Sequence, residues 1–138
     1  MDETKRKWIH SWLKKASHDL GTARILIYAP EQYLDTAIYH CQQAAEKALK
    51  AYLSYHEIAF EKTHNLSALV DLCVDVNPEF QKYYDAADTL TPYATAFRYP
   101  GEFFEDEPDV EEVEEAFRLA KEIYDFVCQQ LPPEVRNK

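Results

Sequence analysis

The stretch AIYHCQQAAEKALKAYL, residues 37–53, decides the fold class. Its apolar residues recur every three or four positions, which predicts one buried face of an α-helix. The alanines on that face allow a neighbouring helix to approach closely. We expect the helix to begin near Asp35, a suitable N-cap, and to end near His56. The polar side chains of the helix are expected on another face: Gln42, Gln43, Glu46, Lys47 and Lys50.

Helical periodicity continues on both sides of this stretch. Residues 4–28 carry an apolar stripe that starts at Trp8 and Trp12, and Pro30 ends it because the residue before proline avoids the α region. A short helix is predicted after Thr63, a suitable N-cap. A fourth begins at Pro78, with a kink or break predicted at Pro92.

The last helix has the most regular pattern. Its apolar residues alternate three and four positions apart from Val110 to Leu131, and Pro132-Pro133 ends it. The chain has only two glycines in 138 residues, whereas the tight turns of β-rich folds often require glycine. We therefore predict one all-α domain, residues 1–138, built as an antiparallel up-and-down helical bundle of four long helices plus one short helix.

Composition and charge exclude several functions. A net charge of −10 opposes a broad DNA-binding face, although a local nucleotide or RNA site remains possible. No run of about 18 apolar residues is present, so we expect no membrane span and a cytoplasmic protein. The three cysteines, Cys41, Cys73 and Cys128, are far apart and flanked by apolar residues. They are expected to be reduced thiols, and the sequence predicts neither a metal site nor a cofactor.

Four stretches in order resemble the HEPN family, the higher eukaryote and prokaryote nucleotide-binding domains. They are W-x-x-x-A-x-x-D-L at residues 12–20, AIYHCQQAAEKALKAYL at 37–53, KTHNL at 62–66 and FRYP at 97–100. The resemblance covers essentially the whole chain. It implies a helical bundle that usually pairs as a homodimer, and members are often encoded beside a small nucleotidyltransferase in toxin–antitoxin pairs. Many members cut RNA without a metal, using an arginine and a histidine four to six residues later.

The chain departs from that ribonuclease pattern. Arg98 stands at the position of the family's arginine, but no histidine follows His64 anywhere in the chain. Metal-free RNA cleavage needs a group that exchanges protons near neutral pH, as imidazole does and guanidinium does not. We therefore do not expect an enzyme. If cleavage remains, Arg98 and His64 are the best catalytic candidates.

Each candidate residue has two interpretations. Arg98 could bind a nucleotide phosphate, with Tyr99 or Tyr93 stacking on the base, or it could pair with Asp85, Glu102 or another carboxylate. His64 could join that site or only help to seat the third helix.

Lys47 and Lys50 could contact a phosphate backbone or a partner, or they could form a solvated face with ion pairs within the helix. His40 is expected to be a partly buried polar neighbour of Cys41.

Three functions follow from these alternatives. The favoured one is a non-catalytic nucleotide- or partner-binding HEPN subunit that acts with a minimal nucleotidyltransferase. The second is a metal-independent RNase toxin with a degenerate Arg/His site. The third is a scaffolding bundle with a vestigial site.

Overall fold

The structure is a computed structural model that describes residues 1–100 and 107–136. Every regular element in the described residues is a helix, which confirms the all-α prediction. Its order is α1 (Glu3–Tyr28), α2 (Leu34–Tyr55), α3 (Leu66–Val76), a 3₁₀ helix (Pro78–Tyr83), α4 (Tyr84–Leu90), a second 3₁₀ helix (Thr91–Ala94), α5 (Val110–Gln130) and α6 (Pro133–Arg136). The long helices α1, α2 and α5 pack side by side. Helix α3 packs against α2, and α4 packs against α3 and α5.

Helix α1 forms as the sequence predicts. The Asp2 carboxylate caps it by accepting a hydrogen bond from the Lys5 backbone N–H at 2.8 Å. The chain leaves the helix at Ala29 in an extended conformation, as the following proline requires. The later residues of the stripe are buried, but Trp12 is only partly buried and Trp8 remains 55% exposed. It packs edge-on against Trp12 rather than entering the core.

Helix α2 lies at the centre of the bundle and contacts α1, α3 and α5. Its first residue is Leu34, one residue before the expected start, and Asp35 is not its N-cap. The Asp35 carboxylate instead accepts a hydrogen bond from the backbone N–H of Thr36 at 2.8 Å.

The outward orientation expected for the polar residues of α2 is wrong. Gln42, Gln43, Glu46 and Lys50 are all buried. They can be buried because they satisfy one another: Gln42 and Lys50 both donate to the Glu46 carboxylate, and Gln43 donates to Gln42. The lysines of this helix therefore do not form one solvated face.

Two details of the middle segment differ from expectation. The N-cap of α3 is Asn65 rather than Thr63, whose hydroxyl accepts a hydrogen bond from the Asn65 backbone N–H. The fourth helical segment, predicted as one kinked helix, is divided into two 3₁₀ helices and the seven-residue α4. Pro92 lies in the second 3₁₀ helix, where its missing N–H prevents a continuous α-helix.

Helix α5 follows its predicted bounds and is capped by Asp109. The thiols of Cys41 and Cys73 are buried, that of Cys128 is half-buried, and all three are free, as expected from the sequence. None of the helices described for this chain is long and apolar enough to cross a membrane.

Candidate functional site

A cavity of about 350 Å³ opens between the beginning of α2 and the segment that follows the second 3₁₀ helix. Six residues line it: Asp35, Thr36, Tyr39, His40, Phe97 and Arg98. Asp35, Thr36, Tyr39 and His40 lie on the first two turns of α2, so the rigid central helix forms one wall. The cavity therefore brings together residues of α2 and of the FRYP stretch, residues 97–100.

Arg98 forms the other wall together with Phe97. Its guanidinium carbon lies 3.9 Å from the centre of the Tyr39 ring, a close cation–π contact. Within residues 1–100 and 107–136, no carboxylate lies at ion-pair distance from Arg98, and Asp85 does not pair with it. Glu102, the other partner considered from the sequence, lies outside the described residues. The aromatic face thus orients Arg98 without neutralising its charge.

His40 is fixed by a carboxylate on the neighbouring helix. Its Nδ1 atom lies 2.7 Å from Oδ1 of Asp19, which is buried on α1. In the neutral ring, Nδ1–H donates to this carboxylate, so the remaining nitrogen, Nε2, is an acceptor. The side chain of His40 is 27% exposed and lines the cavity.

Asp19 also binds a second side chain of α2. The Nζ atom of Lys47 donates to Asp19 Oδ2 at 2.7 Å, so each oxygen of the buried carboxylate has its own partner. Burial, and next the charge of Asp19, raises the pKa of the nearby Cys41 thiol to about 12, which keeps it neutral. The Lys47 ammonium compensates the charge of Asp19 behind the cavity wall.

A second polar cluster lies about two turns further along α2, around Glu46. His64 Nδ1 lies 2.8 Å from Glu46 Oε1, Lys50 Nζ lies 2.9 Å from Oε2, and neither residue lines the cavity. Desolvation tends to raise the pKa of Glu46, but the hydrogen bonds from His64 and Lys50 outweigh it and lower the pKa. This cluster ties α2 to the start of α3, because Gln42 also donates to the His64 carbonyl oxygen at 3.1 Å.

The candidates from the sequence are thus divided between two places. Arg98 lines the cavity, Lys47 reaches it only through Asp19, and Lys50 and His64 belong to the Glu46 cluster. Tyr99 adjoins the cavity in sequence and is 68% exposed. Tyr93 lies further back, where its hydroxyl donates to Glu112 at 2.7 Å and its ring stacks on Phe97.

Sequence reasoning missed Tyr39 and Asp19 as site residues and gave His40 no role. The only signal was that Asp19 and His40 both fall inside the quoted motifs, and nothing in their spacing shows that they meet. Within the described ranges, no group of three or more His, Cys, Asp or Glu side chains is placed to hold a metal ion.

Comparison with known proteins gives consistent results. The sequence model of the HEPN domain matches residues 9–131. The crystal structure of ST0689, an archaeal HEPN homologue, superposes with a TM-score of 0.71 at 27% identity, covering 88% of this chain and 96% of that one. The crystal structure of TT1696 from Thermus thermophilus superposes with a TM-score of 0.72 at 29% identity, covering 91% of this chain and 99% of that one. No curated protein sequence matches the chain.

Proposed function

The chain belongs to the HEPN domain family, and we propose that it is a nucleotide-binding subunit whose phosphate site is the cavity at Arg98. The observation that carries the proposal is the position of the Arg98 guanidinium, held over the Tyr39 ring at the cavity wall with no carboxylate partner in residues 1–100 and 107–136. Guanidinium groups bind phosphate oxygens through two parallel N–H donors. An arginine oriented in this way, with no carboxylate partner among the described residues, is well suited to a nucleotide phosphate.

The surroundings of Arg98 favour a nucleotide over a bare anion. Phe97 lines the same cavity, and Tyr99 exposes its ring beside Arg98 in the chain. Aromatic side chains stack on any nucleobase, whatever its identity. We assign the phosphate to Arg98 and base stacking to Tyr99. Lys47 supports the site through Asp19, whereas Lys50 and His64 support the helix that carries it.

The proposed subunit acts as a cytoplasmic homodimer with a nucleotidyltransferase partner, in a toxin–antitoxin-like system. The support is the family's usual assembly together with large apolar side chains that α1 leaves uncovered. Trp8, Ile25 and Tyr28 are 55%, 69% and 71% exposed. Ile25 and Tyr28 are neighbours one turn apart near the end of α1, whereas Trp8 lies about 25 Å away along the helix. Neighbouring exposed apolar side chains such as Ile25 and Tyr28 are typical of protein–protein contacts.

Thermal unfolding in the presence of nucleotides tests the proposal. A ligand of the native state must raise the melting temperature. We expect a nucleoside monophosphate or triphosphate to raise it for the wild type and for Arg24→Ala, which removes an exposed arginine of α1. Arg98→Ala should show no rise. If no nucleotide stabilises the wild type, the proposal fails and the scaffolding function is favoured.

A metal-independent ribonuclease is the second candidate function. The observation that favours it is a histidine in the arginine cavity, although this is His40 rather than the expected His64. Purified wild type, Arg98→Ala and His40→Gln are each incubated with RNA in EDTA. Cleavage by the wild type alone would replace the non-catalytic assignment, and absence of cleavage would leave the two non-catalytic functions, which the thermal unfolding separates.

A further inference from the structure

The net charge of the cavity depends on whether His40 is protonated. Arg98 carries a positive charge and Asp35 a negative one, and both line the cavity. Behind the wall, Asp19 and Lys47 form an ion pair and compensate each other. The described groups therefore sum to about zero when His40 is neutral and to about one positive charge when it is protonated.

We infer that His40 is the second phosphate-binding group of this cavity, that it binds only when protonated, and that the ligand is a doubly charged phosphate monoester. The inference rests on the proposed nucleotide site and specifies its chemistry. A fully ionised phosphate monoester carries two negative charges, whereas a phosphodiester carries one. Arg98 and protonated His40 can each donate to one charged oxygen of the dianion, and Asp35 is the acidic side chain among the described residues that line the cavity.

The geometry of the ring explains why protonation is required. Nδ1 is held by Asp19 at 2.7 Å, so only Nε2 remains for a ligand. In the neutral ring Nε2 carries a lone pair, which repels an anion. In the protonated ring Nε2–H becomes a donor while Nδ1–H keeps its bond to Asp19. Binding of the anion should therefore take up one proton.

Several other charged or titratable groups face His40. From α1 it meets Asp19, from α2 it is near Asp35, Tyr39, Cys41 and Lys47, and from the 97–98 segment it is near Arg98. Burial raises the pKa of Cys41 to about 12, so this thiol stays neutral. Histidine is the side-chain type that ordinarily titrates between about pH 5 and 8. A change in affinity in that range that disappears in His40→Gln is assigned to His40.

Sulfate is the probe that tests this inference, because it keeps two negative charges throughout the range while phosphate esters titrate themselves. Its affinity is measured by calorimetry between about pH 5.5 and 8 at constant ionic strength. We expect the Kd to rise about tenfold per pH unit above the titration of the site, since one proton is taken up with the ligand. Dimethyl phosphate, a singly charged diester, should bind several-fold more weakly than sulfate at about pH 6.

Two histidine variants assign the effect. His40→Gln should bind sulfate weakly and equally across the range, whereas His18→Gln, which removes an exposed histidine of α1, should behave as wild type. Asp19→Asn provides a second route if His40→Gln unfolds: losing the carboxylate charge should shift the profile to lower pH.

The outcomes separate this inference from the proposed function. Sulfate binding that depends on Arg98 but has the same pH profile in His40→Gln overturns the role of His40 and retains the site. Equal affinity for sulfate and dimethyl phosphate overturns the assignment of a phosphate monoester as the ligand. Absence of binding of both sulfate and nucleotides at every pH overturns the proposed function and this inference together.

Discussion

The guanidinium carbon of Arg98 lies 3.9 Å from the centre of the Tyr39 ring, so the arginine contacts the central helix through an aromatic face rather than a carboxylate. A carboxylate at this place would compete with any anionic ligand for the same N–H donors. The ring restricts the position of the cation and leaves those donors available.

Replacing Tyr39 should weaken nucleotide binding without abolishing it. Tyr39→Leu removes a cation–π contact worth about 0.5–1 kcal/mol, which corresponds to an affinity about two- to fivefold lower. Tyr39→Phe keeps the aromatic face and should bind as wild type. Calorimetric titration with the nucleotide found by thermal unfolding measures both variants. Equal losses in the two variants would show that the hydroxyl, not the ring face, matters.

Loss of the Asp19 carboxylate should destabilise the fold. Asp19→Ala removes the partner of both His40 and Lys47, and hydrogen bonds to charged groups contribute about 1.5–3 kcal/mol to the free energy of unfolding. The matched control is Asp125→Ala, which breaks an exposed pair with Lys121 and should cost about 1 kcal/mol or less. Urea unfolding compares them, and equal losses would contradict a structural role for Asp19.

Stability should fall in acid because of Glu46. The folded state lowers the pKa of Glu46 below its ordinary value of 4.5. The contribution to stability is therefore present above the unfolded pKa and is lost as the pH falls through the folded one. Urea unfolding at about pH 6 and about pH 3 should show a smaller acid-induced loss for Glu46→Gln than for wild type.

The exposed pair of Glu115 and Arg118 offers the control for Glu46. Glu115→Gln should leave the acid dependence close to that of the wild type, because surface ion pairs contribute little. A loss in Glu46→Gln as steep as in the wild type would show that other carboxylates govern acid unfolding.

The cysteines should differ in reactivity. Burial raises the pKa of Cys41 and Cys73 to about 12, so their thiolates are scarce in the native protein. Burial also raises the pKa of Cys128, but its side chain is only half-buried. A disulfide reagent should therefore modify Cys128 first, and the other two only after denaturant is added. Rapid modification of native Cys128→Ser would contradict this order.

The cap of α3 gives a local stability test. Asn65 accepts hydrogen bonds from the backbone N–H groups of Ser67 and Ala68 at 3.0 and 3.4 Å. Asn65→Ala should lower the free energy of unfolding by about 1 kcal/mol, whereas Asn65→Asp should retain the cap. Equal destabilisation in both variants would argue against capping as the cause.

The sequence predicted the long helices because the signals for each helix lie within or next to its own stretch of sequence. The apolar spacing and the flanking prolines of α1 and α5 are local signals, and both helices end within a residue of the expected place. The fourth segment was less predictable. Pro92 indicated a break, but not that the segment would begin as a 3₁₀ helix at Pro78–Tyr83 or that Pro92 itself would lie in a second 3₁₀ helix.

The polar interior could not be predicted from one helix alone. Hydropathy assigns Gln42 and Glu46 to a surface, and their burial depends on Lys50 from the same helix and His64 from the next segment. The cavity has the same origin, because Arg98 and His40 are distant in the chain and share no motif. Such sets form only when the helices pack.

Both tryptophans of the chain lie at the end of the bundle away from the cavity. Trp8 and Trp12 have ring centroids 5.4 Å apart, and Trp12 lies under the ammonium of Lys50, about 15 Å along α2 from His40. Intrinsic fluorescence therefore reports the environment of that far end. A change in emission when nucleotide is added would signal a rearrangement transmitted along α1 and α2, or a partner arriving on Trp8, rather than quenching by the bound base.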